Sequence, residues 1–242
     1  MRNVAGLLFS GGLAFLLLVL LAQLPFGHPV MLLGNDIIQN APNDVATANI
    51  VASVLLAYRG IDTLGELAIL FTAAAGVGLL LGSKNYQLSS EKTTAQASDS
   101  GFISTRAADL MMPLLMLVGF YIIFYGHLTP GGGFQGGVIL AIAFFLPVLV
   151  RPGKKLDHKM ITIIEGLAGG GFILIGLLAM FYDKPFLQPF MNGFLGNGDI
   201  GSLWSAGTLP LLYLAVGLKV GAELAGLLIT LAETPALDKD GQ

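Results

Sequence analysis

Long runs of apolar residues, interrupted by few charges, dominate this sequence. A helix needs about 20 such residues to cross the hydrocarbon core of a bilayer, because each residue adds about 1.5 Å. Six runs are long enough to span, and a seventh, Val45–Tyr58, is shorter and would span only with its flanks. We therefore predict an all-α, polytopic integral membrane protein with about seven transmembrane helices, three followed by four, with six helices as the alternative. The long runs are Val4–Leu24, Leu64–Gly82, Ala107–Tyr125, Phe134–Val150, Met160–Tyr182 and Gly207–Ala232.

The composition excludes several classes of protein. Only 11% of the 242 residues are charged, against roughly 25% in a soluble domain. The formal net charge of −3 gives no reason to expect a nucleic-acid partner. The chain has no cysteine and only three histidines, which argues against disulfides, thiolate metal sites and iron–sulfur ligation. We expect no metal site, no cofactor and no catalytic residue in this chain.

Lysine and arginine residues predict the orientation, because cytoplasmic loops carry an excess of them. With seven spans, Lys219 lies inside a span. Three of the other Lys and Arg residues fall on one side of the membrane and eight on the other. We therefore expect a cytoplasmic C-terminus. As a separate point, we expect the first apolar run to be a membrane anchor rather than a cleaved signal peptide. The turn at 127–132 and the loop at 183–206 lie outside.

A polar segment divides the sequence into two parts. Residues 83–105 are rich in Ser, Thr, Gln and charged residues, a composition typical of a solvated linker. We predict a membrane domain at 1–82 with about three helices, a cytoplasmic linker at 83–105, and a second membrane domain at 106–242 with about four helices.

Glycine is frequent inside the predicted helices. Three pairs have four-residue spacing, namely Gly78–Gly82, Gly166–Gly170 and Gly217–Gly221, and Ala225 extends the last pair. Small residues at this spacing allow two helix backbones to approach closely in a membrane. We interpret them as packing positions.

A second group of glycines predicts a turn rather than a helix face. Pro130 ends the preceding helix, and Gly131, Gly132 and Gly133 allow the chain to enter the next one. A phosphate-binding loop is disfavoured because the Lys-Ser/Thr pair that such loops require is missing. His127 is interpreted as an interfacial residue, with a proton relay as the alternative.

Ionisable residues inside apolar helices are the strongest functional candidates. A charge at the bilayer centre costs about 2.5–3.5 kcal/mol, so such residues face a bundle interior, a cavity or a partner chain. Asp62 and Glu66 share one helical face, and Arg59 lies three residues before Asp62. An Arg59–Asp62 pair that fixes a turn and a role in ion handling both remain open for this group.

The second half offers a similar choice. Lys219 and Glu223 are four residues apart in the middle of an apolar run, so they form either an internal salt bridge or part of a proton or cation relay. Glu165 lies about one turn inside its helix, where pairing with Lys159 or Lys155 is the simpler interpretation.

The C-terminal half resembles the MnhB/MrpB subunit family of multisubunit Na⁺/H⁺ antiporters and related subunits of archaeal energy-converting hydrogenases. The resemblance covers about Gly101–Ala232. It is carried by Gly126-His-Leu-Thr-Pro-Gly-Gly-Gly-Phe-Gln-Gly-Gly137, Pro185-Phe-Leu187 and Leu214-Ala-Val-Gly-Leu-Lys-Val220.

The N-terminal half is similar to another subunit. Residues 48–81, with Tyr58-Arg-Gly-Ile-Asp-Thr-Leu-Gly-Glu66, resemble the small MbhE-type subunit and the C-terminal end of the large MrpA subunit. The two resemblances imply a fused membrane subunit of the prokaryotic plasma membrane that packs beside other membrane subunits and contributes to a sodium or proton path. They imply an ion-path role for Asp62, Glu66 and Lys219.

We therefore hypothesise a subunit of a Mrp-type Na⁺/H⁺ antiporter module, in a pure antiporter or in a redox-driven complex such as a membrane-bound hydrogenase. Its candidate path residues are Asp62, Glu66, Glu165, Lys219 and Glu223. The alternative is a non-conducting structural scaffold whose buried charges are assembly contacts. A stand-alone secondary transporter is disfavoured because the halves show no inverted repeat.

Overall fold

A computed structural model describes residues 2–24, 32–88, 101–151, 158–190 and 200–233. The chain divides into two units, 1–37 and 38–242. The first unit contains helix α1 (Arg2–Ala22) and the start of α2 (Leu32–Val45). Within α1, Val4–Ala22 has the length and hydropathy of a membrane span.

The second unit contains the remaining helices. They are the end of α2, the short α3 (Ile50–Ala52), a π-helix π1 (Ser53–Tyr58), α4 (Gly60–Leu88), α5 (Gly101–Phe124), α6 (Gly133–Val150), α7 (His158–Phe181) and α8 (Leu209–Glu233). The described parts of the chain contain no β-strand. The all-α, polytopic prediction is confirmed.

Among the described residues, six helices are long and apolar enough to cross a membrane. The seventh predicted span, Val45–Tyr58, is wrong. Helix α2 ends at Val45, the backbone turns at Ala46 with φ 55°, and the Asn49 side chain caps the next helix by accepting from the Ala52 N–H. This apolar run is therefore broken into short pieces, and the six-helix alternative holds.

Helix α8 lies at the centre of the second unit. Helices α4, α6 and α7 pack against it, and α5 packs mainly on α6. The buried cluster joins Leu212, Val216 and Val220 of α8 to Leu67, Leu140 and Phe172 of α4, α6 and α7. This arrangement gives α8 the most protein-enclosed span, and it carries Lys219 and Glu223.

Glycines bring α6 and α8 into close contact. A Cβ atom on Gly137 would lie 2.8 Å from the Gly217 carbonyl oxygen, and one on Gly221 would lie 3.2 Å from the Gly137 oxygen. The predicted packing role of Gly217 and Gly221 agrees with this geometry. Gly166 and Gly170, in contrast, have no atom within 4 Å of a built Cβ.

The predicted polar linker at 83–105 is shorter as a non-helical segment than its composition indicated. Helix α4 continues to Leu88 and α5 begins at Gly101. Polar residues that follow or precede an apolar span can extend its helix into the aqueous phase. The central part of the predicted linker, 89–100, lies outside the described residues.

Candidate functional site

Three charged side chains meet between α7 and α8. The Lys219 amine lies 2.8 Å from Oε2 of Glu223, its neighbour one turn along α8, and 3.6 Å from Oε1 of Glu165 on α7. The side chains of Glu223, Lys219 and Glu165 are 1%, 11% and 22% exposed. Lys219 lies about 15 Å from the first residue of α8, so the cluster sits near the middle of a span.

Neighbouring helices shape the surroundings of Lys219. A Cβ atom on Gly169 would lie 3.4 Å from Cδ of Lys219, so the lysine stem runs close to this position of α7. The Lys219 amine lies 5.3 Å from the centroid of the Phe71 ring on α4, a distance at which a ring face attracts a cation. Three helices thus hold the amine in place.

The cluster carries one more acid than base. With all three groups ionised, Glu165, Lys219 and Glu223 have a net charge of −1. The second carboxylate oxygen of Glu223, Oε1, is buried and has no hydrogen-bond partner among the described residues. An isolated buried charge is costly in a medium of low dielectric constant. One bound proton or one monovalent cation would neutralise the cluster.

A cavity of about 230 Å³ reaches the two glutamates. It lies among α4, α7 and α8 and runs from His158, the first residue of α7, and Thr230, near the end of α8, to Glu165 and Glu223. The other lining residues are Phe71, Ala74, Ala75, Val77, Gly78, Ile161, Thr162, Gly226 and Leu227. The cavity therefore connects one end of these helices with the charged cluster.

The structure does not bring Asp62 and Glu66 into this cluster. Arg59 and Asp62 form an ion pair with an Nη2–Oδ2 distance of 2.5 Å, and their side chains are 66% and 40% exposed. Glu66 is exposed. Of the five predicted path residues, three come together and two lie apart. Glu165 lies beside Lys219, which the simpler interpretation of its sequence position had not indicated.

The glycine-rich segment forms the turn between α5 and α6. Gly132 adopts φ 149°, a conformation that favours glycine. A Cβ atom on Gly126 would lie 2.7 Å from the Gly132 Cα, and one on Gly133 would lie 2.7 Å from Cβ of Val216. Pro130 is exposed at this turn, while Gly131 packs beside Ile122. The turn is compact and places the start of α6 in contact with α8.

His127 lies in the same turn, and its side chain is fully buried. It is enclosed by protein rather than exposed at the membrane interface. Burial lowers the pKa of His127, and backbone groups of Ser202, Phe124 and Leu203 partly oppose this effect. In the part of the chain that the structure describes, neither ring nitrogen has a partner in ordinary hydrogen-bond geometry. The imidazole is therefore held neutral at pH 7.

Two residues that the sequence did not single out hold this turn. Asn49 Nδ2 donates to the carbonyl oxygens of Gly126 at 2.7 Å and Thr129 at 3.0 Å, and the Thr47 hydroxyl donates to the His127 carbonyl. An Asn before an apolar stretch indicates a helix cap. No local pattern indicates a contact across about 80 positions of sequence.

A model of the domain related to the MnhB subunit of Na⁺/H⁺ antiporters matches residues 103–226, about half of the chain. The chain belongs to this MnhB family. An uncharacterized protein of Methanocaldococcus jannaschii is 34% identical over 194 residues, which cover 73% of this chain and 74% of that protein. The Staphylococcus aureus protein named as antiporter subunit mnhB2 is 36% identical over 87 residues, 34% of this chain and 60% of its own length.

Two solved structures resemble this MnhB-family chain over nearly its full length. A chain of the membrane-bound sulfane sulfur reductase, an archaeal respiratory membrane complex, has a TM-score of 0.75 and 34% identity, with 95% of this chain and 97% of that chain covered. A chain of the Mrp complex from Dietzia has a TM-score of 0.69 and 23% identity, with 98% and 26% covered, and shows a shared fold. The predicted MnhB-type membership is confirmed. The MbhE-type assignment of the N-terminal part stays a prediction.

Proposed function

We propose that this protein is a membrane subunit of a Mrp-type Na⁺/H⁺ antiporter module within an ion-pumping complex, and that Glu165, Lys219 and Glu223 carry the proton or cation that it contributes. Its MnhB domain and its similarity to chains of two multisubunit membrane complexes support the first part. Other membrane subunits are then its partners.

The buried cluster with an excess negative charge is the observation that carries the second part. Among the described residues Glu223 has a buried oxygen without a hydrogen-bond partner, and both Glu165 and Glu223 line the cavity. A cluster that served only as a structural contact would be more stable if its buried charges were fully balanced, because an uncompensated buried charge is costly. A carboxylate that no basic residue neutralises within a span is typical of ion and proton pathways.

Lys219 allows the occupancy of the two acids to be exchanged. Its amine is within 4 Å of both glutamates, and a lysine stem can rotate a compact charge between two acceptors. When the amine stays with Glu223, Glu165 faces the cavity and is available to a proton or Na⁺. When the amine moves toward Glu165, Glu223 becomes available. Proton release at one carboxylate thus favours cation binding at the other.

The charge bias supports a cytoplasmic C-terminus. With six spans, Arg2 moves to the side that carries most basic residues, and the distribution becomes nine against two. His158 and Thr230 then lie toward the cytoplasm, and the cavity opens to that side. For Asp62 and Glu66, an ion-path role rests on resemblance alone.

The test uses the purified complex in proteoliposomes, where sodium-dependent proton movement is measured with an internal pH dye. We expect Glu223→Gln to lower the initial rate per assembled complex at least tenfold and Glu165→Gln to lower it severalfold. Asp183→Asn is the control, because Asp183 is exposed in the loop after α7 and its φ of 54° suits asparagine.

The scaffold alternative gives the opposite result in the same experiment. The two glutamine variants would then reduce the amount of complex recovered, while each assembled complex would exchange ions at the wild-type rate. That outcome would refute the ion-carrying role of the cluster and would leave the MnhB membership untouched.

A further inference from the structure

One face of α4 is largely exposed, and among the described residues of the second unit no helix covers Glu66, Ile69, Ala73 or Leu80 on it. Its residues follow one another at intervals of four, three, four, three and four, which align them along one side of a helix. Ile69 and Leu80 on this face are 72% and 74% exposed. We call it the α4 stripe, and it consists of Asp62, Glu66, Ile69, Ala73, Gly76 and Leu80.

The α4 stripe lies on a different side of the helix from the packing surface. Thr63 and Leu67 are each 2% exposed, and Leu67 belongs to the core cluster built around α8. Glu66 precedes Leu67 by one residue and therefore points about 100° away from it. The stripe is a second helix face, distinct from the contact with α8.

Glu66 gives this face its chemical character. The carboxylate is exposed, and the described residues offer it no ion pair or hydrogen bond. Arg59, the nearest cation along the chain, is already bound to Asp62. Glu66 lies about 9 Å along α4 from Gly60, inside the candidate span Gly60–Leu81. A carboxylate at that depth faces a bundle interior, a cavity or a partner chain, and Glu66 is exposed and does not line the cavity near Glu165 and Glu223.

The chain's own first helix does not offer a suitable group. After Arg2, the whole of α1 up to Ala22 has no charged residue, and its polar side chains are Asn3 and Ser10. Charge complementarity therefore points to another polypeptide. Two small residues in the C-terminal half of the stripe, Ala73 and Gly76, allow such a helix to approach closely. A Cβ on Gly76 would meet no atom within 4 Å.

We propose that the α4 stripe docks a transmembrane helix of another subunit, which places a Lys, Arg or His side chain opposite Glu66. A docked helix accounts for a carboxylate that the described residues leave unpaired on an exposed face within a span. This proposal concerns assembly and is independent of the role given to Glu165, Lys219 and Glu223.

Photo-crosslinking in native membranes tests the face. Leu80 is replaced by p-benzoylphenylalanine in one variant and Leu79 in the matched control, because these neighbours are of the same type and depth and are 74% and 77% exposed. We expect the Leu80 variant to crosslink to a transmembrane segment of another subunit at least fivefold more than the Leu79 variant. The captured segment, identified by mass spectrometry, should carry a basic residue about four helical turns away, level with Glu66.

Charge exchange tests the pairing. Glu66→Gln should lower the recovery of that subunit in mild detergent severalfold, and Glu66→Lys at least tenfold. Replacing the basic residue of the captured segment by Glu should restore recovery with Glu66→Lys. Restoration excludes simple misfolding of the lysine variant.

Three results would overturn the proposal. They are equal crosslinking from Leu79 and Leu80, capture of the chain's own residues 1–37, and wild-type subunit recovery with both Glu66→Gln and Glu66→Lys. A loss of antiport in Glu223→Gln with normal crosslinking from Leu80 would support both proposals separately.

Discussion

At the scale of single residues, the sequence predicts the contact of Lys219 with Glu223, but only the fold reveals its contact with Glu165. Lys219 and Glu223 are four apart on one helix, so their contact follows from helix geometry. Glu165 reaches the same amine at 3.6 Å from another helix. That contact depends on the rotation of α7 against α8, which packing over the full lengths of both helices determines.

Gly169 offers a residue-scale test of how closely Lys219 is held. A Cβ atom there would lie 3.4 and 3.5 Å from Cδ and Cε of Lys219, which are ordinary contacts. Gly169→Ala should therefore keep sodium-dependent proton movement within about twofold of wild type, since no atom must shift. Gly169→Leu should reduce it at least fivefold because the larger side chain displaces the lysine stem.

Equal antiport rates in the two variants, measured per assembled complex in proteoliposomes, would show that the position of the Lys219 stem does not matter for transport. Gly170→Leu on the same helix is the control, because a Cβ on Gly170 meets no atom within 4 Å.

His127 predicts a pH dependence of stability. Burial lowers its pKa in the folded state, while an unfolded chain has a histidine pKa of about 6.5. The unfolded state therefore takes up a proton first as the pH falls, and stability decreases with falling pH from about 7 downward through the folded-state pKa. We expect the melting temperature of the wild-type protein in detergent to decrease between pH 7.5 and pH 5.5. The melting temperature of His127→Gln should decrease by less over the same range. A parallel decrease in both proteins would contradict this origin.

At the scale of helices, local hydropathy predicts long spans well and short pieces poorly. The predicted Phe134–Val150 and Met160–Tyr182 correspond to α6 (Gly133–Val150) and α7 (His158–Phe181), because an apolar run and a helix of span length coincide. Val45–Tyr58 has a similar composition but is broken near Asn49, whose hydrogen bonds go to a distant turn. Such long-range bonds leave no periodic signal in the sequence.

The Asn49 contact makes an element-scale prediction. Asn49→Ala removes two hydrogen bonds to the 126–129 turn and a helix cap, so it should lower the free energy of unfolding by about 2–3 kcal/mol. Thermal unfolding in detergent measures the loss. Asn43→Ala, at an exposed position of α2, should change stability by less than about 0.5 kcal/mol. Similar effects of both substitutions would contradict the bridging role of Asn49.

The glycines of α6 and α8 make a second prediction at this scale. Gly137→Ala places a methyl group 2.8 Å from the Gly217 carbonyl oxygen, so the helices must separate, at a cost of about 1–3 kcal/mol. Gly166→Ala, where a Cβ meets no atom within 4 Å, should be neutral or slightly stabilising, since alanine favours helix. Melting temperatures of the isolated chain in detergent compare the two, and equal losses would refute close α6–α8 packing.

At the scale of the whole molecule, the number of spans determines how the termini are placed. The sequence predicted seven and gave six as the alternative; six hold for the described residues. In the proposed orientation, an even number of spans would place both ends of the chain on the cytoplasmic side, which the distribution of basic residues favours. The count depended on one short run, and hydropathy alone does not distinguish a short span from a broken helix.

The sequence contains no cysteine, so single introduced cysteines make the proposed topology directly measurable. In intact cells, a membrane-impermeant maleimide should label Asp183→Cys, an exposed position after α7, and should leave Ser104→Cys, an exposed position in the first turn of α5, unlabelled. Permeabilised cells should show labelling of both. These two positions lie at opposite ends of their spans, because α5 and α7 both run from the basic side outward in the proposed orientation. Labelling of Ser104→Cys alone in intact cells would invert the topology, and the cavity that reaches Glu165 and Glu223 would then open outside.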